Sequence, residues 1–347
     1  MSESKKTVFL GMSGGVDSSV SAVLLKEAGF NVVGVYMKNW SKDLPGMKCP
    51  WAEDLADAKR VAVKLGIDFL VFDFEKAYKE KVVDYMLSEF KAGRTPNPDI
   101  MCNEEIKFKL FFEESLKRGA DFIATGHYAK SENGKLKLAL DENKDQTYFL
   151  YRISKEAVAK TLFPLANLKK PEVKKLAAKK GLANAYKKES MGVCFVGNVG
   201  MKDFLREYID LKPGEIREIE TEKVLGFHDG AVFYTLGQRH GLYVGGGLPY
   251  YVVKKDLEKN IVYVSKNLNE ENLWTKELEL ENLFFRDKSD LPKDGKIQIR
   301  VRHRAPLLPA VLKDDKIFLE EEIKRIASGQ SIVFYAGDIC LGGGIVK

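Results

Sequence analysis

The first 128 residues alternate between short apolar runs and helical periodicity, and this alternation limits the possible folds more than any other feature of the chain. Four runs are typical of strands, at 7–12, 32–37, 69–74 and 122–125. The helices between them should end at glycines, namely Gly29, Gly66 and Gly119. Strands joined by helices form right-handed crossovers, so the sequence predicts an α/β fold with a doubly wound parallel sheet. Ligands of such sheets bind at the carboxyl ends of the strands.

The loop after the first strand has the composition of a phosphate site. Ser13, Gly14 and Gly15 are small enough for a ligand to approach the backbone closely. The helix that follows turns free N–H groups and a partial positive charge toward that ligand. The loop is not a Walker A motif, since no Gly-Lys-Ser/Thr closes it, and it does not match Gly-x-Gly-x-x-Gly. An ordinary strand-to-helix turn capped by Asp17 or Ser18 is the alternative.

Beyond about residue 224 the pattern changes to short β runs in pairs. The pairs are typical of hairpins and lie at 250–254 with 261–265, 309–312 with 317–319, and 332–335 with 339–341. They predict a small β-barrel in the carboxyl-terminal part. We therefore expect three domains, which are an α/β domain over 1–197, a small mixed α+β domain over 198–268 and a β-barrel over 269–347.

The chain carries a formal net charge of +6, and its positive charge is concentrated in one stretch. Residues 151–188 hold eleven Lys and Arg against two acidic residues, a net charge of +9. Two interpretations stay open, a solvated helix face and a surface for a polyanion such as nucleic acid. No run reaches the ~20 apolar residues of a membrane span, and no signal peptide precedes the first strand. We therefore expect a cytoplasmic protein without membrane contact.

Four cysteines without a Cys-x-x-Cys pair argue against a disulfide scaffold and against a zinc or iron–sulfur site. Cys102 follows a segment stiffened by Pro96 and Pro98, and Asn103 is typical of a helix start. Cys102 would then lie at a helix amino terminus, where the helix dipole stabilises a thiolate. Asp99, three residues earlier, is a candidate base. A small buried apolar side chain is the alternative role for Cys102.

Cys194 stands in a short apolar run between Gly192 and Gly197. The glycines favour a flexible segment that brings the thiol to a second site, whereas burial in a strand is the commoner role of a cysteine. Cys340 alternates with apolar residues in the last hairpin and is expected to be structural. The role of Cys49 stays open.

Eight motifs follow one another along nearly the whole chain. They are Ser-Gly-Gly-Val-Asp-Ser at 13–18, Met-Lys-Asn-Trp at 37–40, Thr-Pro-Asn-Pro-Asp-Ile-Met-Cys-Asn at 95–103, Ala-Thr-Gly-His-Tyr at 124–128, Lys-Asp-Gln-Thr-Tyr-Phe-Leu at 144–150, Gly-Val-Cys-Phe at 192–195, Tyr-Thr-Leu-Gly-Gln-Arg at 234–239 and Cys-Leu-Gly-Gly-Gly at 340–344. Together they resemble the tRNA-specific 2-thiouridylase family of PP-loop ATP pyrophosphatases. The first motif is shared across that superfamily, whereas Asn-Pro-Asp-x-x-Cys with Gly-x-Cys-Phe is specific to the family.

Three segments depart from the family pattern. Arg302-His303-Arg304 stands in place of Arg-Tyr-Arg, and Ser328-Gly329-Gln330 in place of Pro-Gly-Gln. The segment before Cys194 is Glu-Ser-Met-Gly instead of the frequent Asp-Ser-Thr-Gly. The first two departures keep the cations and the amide, so they concern only details of the contact between the barrel and tRNA, and the change before Cys194 is mild.

The resemblance implies an adenine nucleotide alpha-hydrolase-like first domain and a role for each matching residue. ATP would be bound by Gly11, Met12, Ser13, Gly14, Gly15, Val16, Asp17, Ser18, Met37 and Gly126. The target base would face Asn97, Pro98 and Asp99. The tRNA would contact His127, Lys144, Asp145, Gln146, Arg302, His303 and Gln330. Cys194 would carry a persulfide and Cys102 would be the nucleophile, with a transient Cys102–Cys194 disulfide left after sulfur transfer.

The implied reaction is ATP-dependent 2-thiolation of the wobble uridine in tRNAs of the Lys, Glu and Gln type. The uridine C2 oxygen would attack the α-phosphate of ATP, while the loop and Mg²⁺, for which no protein ligand motif is present, stabilise the developing charge. Sulfur from a persulfide donor, a cysteine desulfurase or a relay protein, would then replace AMP. An amidating or synthetase-type ATP pyrophosphatase and a non-catalytic tRNA-binding protein are the alternatives. The missing Cys-x-x-Cys disfavours a 2-thiocytidine enzyme.

We expect tRNA binding to weaken steeply with salt, because lysine contacts to phosphates release counterions. Replacing Lys174, Lys175, Lys179 and Lys180 together by Ala should flatten the plot of log affinity against log salt concentration. Filter binding over a salt series measures this slope. An unchanged slope would identify the stretch as a solvated helix face.

Overall fold

The computed structural model describes residues 5–43, 49–188, 200–245, 248–267 and 273–347. The amino-terminal part is built on a parallel sheet whose strands are β1 Thr7–Gly11, β2 Asn31–Lys38, β3 Asp68–Asp73, β4 Phe122–Ala124 and β7 Thr161–Leu162. The strand order is β3-β2-β1-β4-β7, and all neighbours are parallel. The four strands expected from the sequence and the α/β fold are confirmed.

Helices connect these strands. They are α1 Val16–Glu27, α2 Trp51–Leu65, α3 Glu75–Tyr78, α4 Asp84–Lys91, α5 Pro98–Met101, α6 Phe111–Lys117, α7 Thr147–Leu150, α8 Lys155–Ala159 and α9 Lys170–Lys179. Two π-helical turns, Lys79–Val83 and Cys102–Leu110, join α3 to α4 and α5 to α6 without a break. Within the described ranges, no helix has the length and apolar character needed to cross a membrane.

The two faces of the sheet pack against different helices, because successive strand residues point to opposite sides. Val8 and Leu10 of β1 belong to a core with α1, α2 and α9, whereas Phe9 belongs to a core with α6 and α8. Both faces are therefore buried, which explains why β1 is apolar throughout instead of alternating. The loop after β1 is left at the carboxyl edge of the sheet, between the two cores.

The carboxyl-terminal part is an antiparallel barrel of six strands, as expected. The strands are β12 Trp274–Phe285, β13 Lys296–Arg300, β14 Leu308–Lys313, β15 Lys316–Lys324, β16 Ser331–Ala336 and β17 Ile339–Val346. Pairing of β12 with β17 closes the barrel. A hairpin of the amino-terminal part, β5 Lys130–Glu132 and β6 Lys135–Lys137, adds to the same sheet beside β17. The first and last parts of the chain therefore share a sheet.

Two of the three glycines of β17 are required by close packing. A Cβ at Gly342 would overlap the carbonyl oxygen of Phe284. At Gly343 it would lie 2.5 Å from the carbonyl oxygen of Ile332 and 2.8 Å from the Tyr151 ring. Gly342 thus permits barrel closure, and Gly343 permits contact between the barrel and the first part.

A mixed sheet lies between these parts in the sequence. Its strands are β8 Gly214–Glu218, β9 Val224–His228, β10 Tyr251–Asp256 and β11 Ile261–Ser265, in the order β10-β11-β8-β9. Helix α10, Met201–Arg206, precedes this central sheet and packs into a core of the amino-terminal part, where the Phe204 and Trp40 rings lie 6.2 Å apart. A small mixed domain is confirmed, while the boundaries 1–197, 198–268 and 269–347 stay predictions.

A buried ion pair links the amino-terminal part to the barrel. Asp145 is 2% exposed, and its carboxylate accepts a hydrogen bond of 2.9 Å from Nη1 of Arg300. The Thr147 hydroxyl and the Ala139 N–H donate to the same carboxylate. Burial raises the pKa of Asp145, and these donors oppose that shift. The side chain expected to contact tRNA is therefore enclosed at a junction, because it supplies the counter-charge to a buried guanidinium.

Replacing Arg300 by Met should destabilise the protein by about 3–5 kcal/mol, because the Asp145 carboxylate would stay buried without its cation. Adding Asp145→Asn should recover part of this loss, since the uncompensated charge is then removed. Chemical denaturation gives both free energies of unfolding. A loss below about 1 kcal/mol for Arg300→Met would mean that the pair contributes no more than a surface ion pair.

Candidate active site

The loop between β1 and α1 is shaped by two backbone contacts. Gly14 has a φ of +75°, and a Cβ there would overlap the carbonyl oxygen of Asp54 in α2. After β4, a Cβ at Gly126 would lie 2.8 Å from the amide nitrogen of Ser18. Only glycine allows both approaches. As a result, the chain segments that follow β1, β2 and β4 meet at one edge of the sheet.

Hydroxyl groups fix the same loop. Ser18 Oγ accepts from the Ser13 N–H at 3.3 Å and donates to the Gly15 carbonyl at 3.1 Å. Ser19 Oγ donates to that carbonyl at 2.9 Å. Gly15 is the N-cap of α1 and supplies no side-chain hydrogen bond to the helix start. The first N–H groups of α1 are therefore suited to an anionic ligand.

Lys170 is a site residue that sequence reasoning missed. Its Nζ lies 2.7 Å from each carboxylate oxygen of Asp17, and the Tyr128 hydroxyl donates to Asp17 at 3.0 Å. Lys170 is buried at the start of α9, unlike the exposed Lys174 and Lys179 farther along that helix. The sequence carries no signal that separates it from the neighbouring lysines of the basic stretch, such as Lys169.

Asn184 also hydrogen-bonds to the loop between β1 and α1. Its Nδ2 donates to the Gly14 carbonyl at 2.8 Å, and its side chain is 3% exposed. Lys187 pairs with Asp54 at 2.8 Å. The chain that leads toward Cys194 is thus attached to the loop and to α2. Cys194 itself lies outside the described residues, so the Cys102–Cys194 pairing stays a prediction.

A cavity of about 280 Å³ opens at this edge of the sheet. Many of the residues expected to bind ATP line it, namely Gly11, Met12, Ser13, Asp17, Ser18, Met37 and Gly126. Gly14, Gly15 and Val16 complete the loop between them. The rest of the lining includes Trp40, Cys49, Trp51, Lys107, His127 and Gln146. Segments far apart in the chain, expected to meet at the carboxyl edge, are brought together here.

His127 lies in this cavity, although the resemblance implied a contact with tRNA. Its Nδ1 is 2.9 Å from the Thr125 hydroxyl, and its ring packs 5.8 Å from the Phe108 ring. Burial, with the Lys107 ammonium nearby, holds the pKa of His127 well below 6.5, so the ring is neutral at pH 7. His127 and Gln146 are therefore positioned to contact whatever enters the cavity.

The helix that carries Cys102 begins earlier than expected. Asn97 is the N-cap and Pro98 is the first residue of α5, which continues without a break through Cys102. Proline favours the first helical position because its φ suits the helix and its missing N–H is not needed there. Cys102 thus lies a full turn inside the helix and is 2% exposed. The expectation that it sits at a helix amino terminus is wrong, and Asp99 occupies the first turn instead.

One helix connects the cysteine, the candidate base and the cavity. Asp99 and Cys102 are three residues apart, which places them on the same helix face. Burial raises the pKa of Asp99, and the Lys107 ammonium opposes that shift. Lys107, farther along the same continuous helix, lines the cavity beside the loop between β1 and α1. A raised pKa brings Asp99 closer to the range in which a carboxylate exchanges protons at neutral pH.

Several residues expected to contact tRNA meet where the first part adjoins the barrel. Arg304 Nε donates to the Asn143 carbonyl at 2.8 Å, next to Lys144. The His303 ring packs 4.7 Å from the Phe149 ring. Burial lowers the pKa of His303 to about 4, with a smaller contribution from the cations around it, including Lys144. With the exposed Arg302, this junction forms a basic surface.

Gln330 lies elsewhere on the barrel. Its Nε2 donates to the carbonyl of Thr95 at 2.6 Å, directly beside the residues expected to face the target base. One N–H of the amide is therefore used in a contact within the protein, and the contact of Gln330 with tRNA stays a prediction.

Two further cysteines differ in their surroundings. Cys340 is 1% exposed in β17, and burial raises its pKa to about 11, in agreement with a structural role. Cys49 lines the cavity beside the loop between β1 and α1, and burial raises its pKa as well. Neither environment favours a reactive thiolate.

The parallel sheet with a Ser-Gly-Gly-Val-Asp-Ser loop at its carboxyl edge is the arrangement of a PP-loop nucleotide site. Family models match the chain in three successive parts, described as "tRNA methyl transferase HUP domain" (6–198), "tRNA methyl transferase PRC-barrel domain" (202–266) and "Aminomethyltransferase beta-barrel domain" (275–346). The tRNA-specific 2-thiouridylase MnmA of Listeria welshimeri is 45% identical over 98% of this chain and 94% of its own length. That of Idiomarina loihiensis is 44% identical over 100% of this chain and 97% of its own. The chain belongs to the tRNA-specific 2-thiouridylase family.

Solved structures overlap with the chain less extensively. A 4-thiouridine synthetase–RNA complex with bound ATP covers 53% of this chain and 43% of its own, at 20% identity and a TM-score of 0.38.

Replacing Lys170 by Met should lower the rate of pyrophosphate release from ATP about 10²- to 10³-fold, because a fixed cation next to the phosphate loop is lost. Lys174→Met, at an exposed position of the same helix, is the control and should keep the rate. A coupled pyrophosphate assay in the presence of tRNA measures both. Normal release by the Lys170 variant would exclude it from the nucleotide chemistry.

Proposed function

We propose that the protein catalyses the ATP-dependent 2-thiolation of a uridine in tRNA. Membership of the 2-thiouridylase family over nearly the full length supports tRNA as the substrate, and the cavity at the phosphate loop supports ATP as the activating nucleotide. One observation carries the proposal, namely that the helix with Asp99 and Cys102 turns Lys107 into the nucleotide cavity. Chemistry on the base and on ATP can therefore occur side by side.

The first step activates the C2 oxygen of uridine, which is a poor leaving group. That oxygen attacks the α-phosphorus of ATP, a new P–O bond forms, and pyrophosphate leaves. The start of α1 and Lys170 stabilise the negative charge that develops on the phosphates.

Mg²⁺ fits this site as an ion that arrives with the nucleotide. Asp17 and Asp54 are carboxylates of the cavity lining, and magnesium in nucleotide sites is commonly held by one or two carboxylates together with phosphate oxygens. When bound, it would neutralise phosphate charge.

The second step replaces AMP with sulfur. A persulfide on Cys194 supplies the sulfur atom to C2, either directly or as sulfide released when Cys102 attacks the persulfide. AMP leaves with the former C2 oxygen, and a Cys102–Cys194 disulfide remains, which a thiol reductant must reopen before the next turnover. Asp99, with its raised pKa, is suited to accept or return the proton during these exchanges.

We infer that the substrate is the wobble uridine of tRNAs of the Lys, Glu and Gln type. The basic junction of Lys144 with Arg302 and Arg304 and the exposed lysines of α9 support binding of the tRNA backbone. A cysteine desulfurase or a relay protein would load the persulfide. The cytoplasm is the expected location, because ATP, tRNA and reductants for a transient disulfide are all present there.

Cys102 and Cys194 should be needed for sulfur transfer but not for activation of the uridine by ATP. Cys102→Ser and Cys194→Ser should both still release pyrophosphate, because activation needs ATP, Mg²⁺ and the uridine oxygen but no thiol. Both should fail to form 2-thiouridine. Mass spectrometry of tRNA nucleosides after incubation with ATP, Mg²⁺ and a persulfide donor measures the product, and Cys340→Ala serves as a control that should retain thiolation.

Peptide mass spectrometry after donor treatment should locate the added sulfur on Cys194. Full thiolation by Cys194→Ser would contradict the proposed sulfur transfer. Pyrophosphate release by the unaltered protein that yields no thiolated product even with the sulfur donor present would favour an amidating or synthetase-type enzyme. Binding of tRNA that ATP does not affect, without base modification, would favour a non-catalytic tRNA-binding protein.

A further inference from the structure

The cavity beside the loop between β1 and α1 is lined by two chemically different sets of residues. Ser13, Asp17 and Ser18 belong to the loop and the start of α1, where N–H groups are suited to phosphates. Trp40 and Trp51 belong to the other set and supply aromatic rings. A nucleotide has the same division, since its phosphates are charged and its base is a flat aromatic ring. The cavity is therefore equipped for both ends of a nucleotide.

The two tryptophans differ in what they can contact. Trp40 is 6% exposed, its Nε1 donates to the Lys42 carbonyl at 3.0 Å, and its ring packs on Phe204 in a core. Trp51 is the first residue of α2 and is only partly buried. The Trp40 ring therefore serves the core, whereas the Trp51 ring can contact a ligand in the cavity.

Trp51 is held in position before any ligand binds. The Tyr36 hydroxyl donates to its carbonyl at 3.1 Å. Nζ of Lys38 lies over the indole, 5.2 Å from the ring centre, and the same ammonium pairs with Glu75. A ligand that stacks on this ring therefore has little side-chain entropy to overcome.

Helix α2 also sets the distance between Trp51 and the phosphate loop. Asp54 lies three residues after Trp51, and its carbonyl occupies the space that a Cβ at Gly14 would need. Residues three apart lie on the same side of a helix, about 4.5 Å apart along its axis. A nucleotide with its phosphates at the loop would therefore have its nucleoside part within reach of Trp51.

Asn39 supplies a polar group to the same cavity. It directly follows β2 and lines the cavity wall. Within the described parts of the chain, its Oδ1 is buried and has no hydrogen-bond partner. A buried acceptor without a partner costs free energy, so this oxygen points to a ligand that carries a donor. The exocyclic amino group of adenine is such a donor, whereas guanine has a carbonyl oxygen at the same position.

We propose that Trp51 and Asn39 form a base subsite, in which adenine stacks on the Trp51 indole and donates from its amino group to Oδ1 of Asn39. The proposal rests on the proposed function, in which ATP occupies this cavity. The phosphate loop contacts the part that all nucleoside triphosphates share. The base subsite is then what selects ATP, because the guanine oxygen would place a second acceptor against Asn39.

Trp51→Leu should raise the Kd for ATP about 5- to 100-fold, because the stacking surface is lost. Trp51→Phe should keep most of the affinity, since a ring remains. Isothermal titration calorimetry with ATP and Mg²⁺, in the absence of tRNA, measures both values of Kd. Trp274→Phe, in strand β12 of the barrel, is the control and should bind ATP normally.

Indole fluorescence tests the contact without any need for catalysis. The chain has three tryptophans, and ATP should quench the emission of the unaltered protein and of Trp274→Phe. The Trp51→Phe variant should lose this quenching although it still binds ATP. A purely structural role of Trp51 would not separate quenching from binding in this way.

Purine riboside triphosphate, which lacks the amino group of ATP, tests Asn39. It should bind the unaltered protein about 3- to 10-fold more weakly than ATP, because one hydrogen bond is missing, and GTP should bind more weakly still. In Asn39→Ala, ATP and purine riboside triphosphate should bind equally. A general loss of structure would weaken both nucleotides and would not abolish the difference between them.

An unchanged Kd for ATP in Trp51→Leu would overturn the proposal, and so would equal affinities of the unaltered protein for ATP and purine riboside triphosphate. Quenching of Trp51 by tRNA but not by ATP would also overturn it, because the ring would then contact the uridine. If the unaltered protein binds no ATP, with or without tRNA, the base subsite and the proposed function both fail. If ATP binds at Trp51 and Asn39 but no 2-thiouridine forms, only the proposed function fails.

Discussion

Backbone-to-backbone contact at the carboxyl edge of the parallel sheet is the constraint on which the rest of the site depends. Side chains are excluded at Gly14 by the Asp54 carbonyl and at Gly126 by the start of α1. These two contacts bring the chain segments after β1, β2 and β4 within reach of one ligand. Once they are close, Lys170 and Tyr128 hold the Asp17 carboxylate in the wall of the cavity.

The barrel and the central sheet help to shape the amino-terminal part. The hairpin β5–β6 extends the barrel sheet, and the Asp145–Arg300 pair buries charge at the same junction. The barrel and the central sheet both hydrogen-bond to the segment 93–97, which leads into the helix that carries Cys102. The conformation of a loop in the amino-terminal part is therefore set by residues near the other end of the chain.

The fold was predictable where one local pattern decided it. Alternation of strands and helices predicted the parallel sheet, paired β runs predicted the barrel, and the small residues at 13–15 predicted the phosphate loop. Prediction failed where two local signals competed. Asn103 and Pro98 can each start a helix, and Pro98 does so because its ring suits the first helical position. Cys102 is consequently inside a helix and buried, while Asp99 occupies the first turn.

By itself, the sequence determined the strands, the phosphate loop and the family motifs, because each depends on residues a few positions apart. Tertiary structure alone decided which polar side chains serve the site. Lys170 reaches Asp17 across 153 residues, and Gln330 reaches Thr95 across 235. Nothing in the local surroundings distinguishes Lys170 from the lysines beside it, or Asp145 from a surface carboxylate. The energy of a buried charge or amide depends on the partner that folding brings to it, and that partner is distant in sequence.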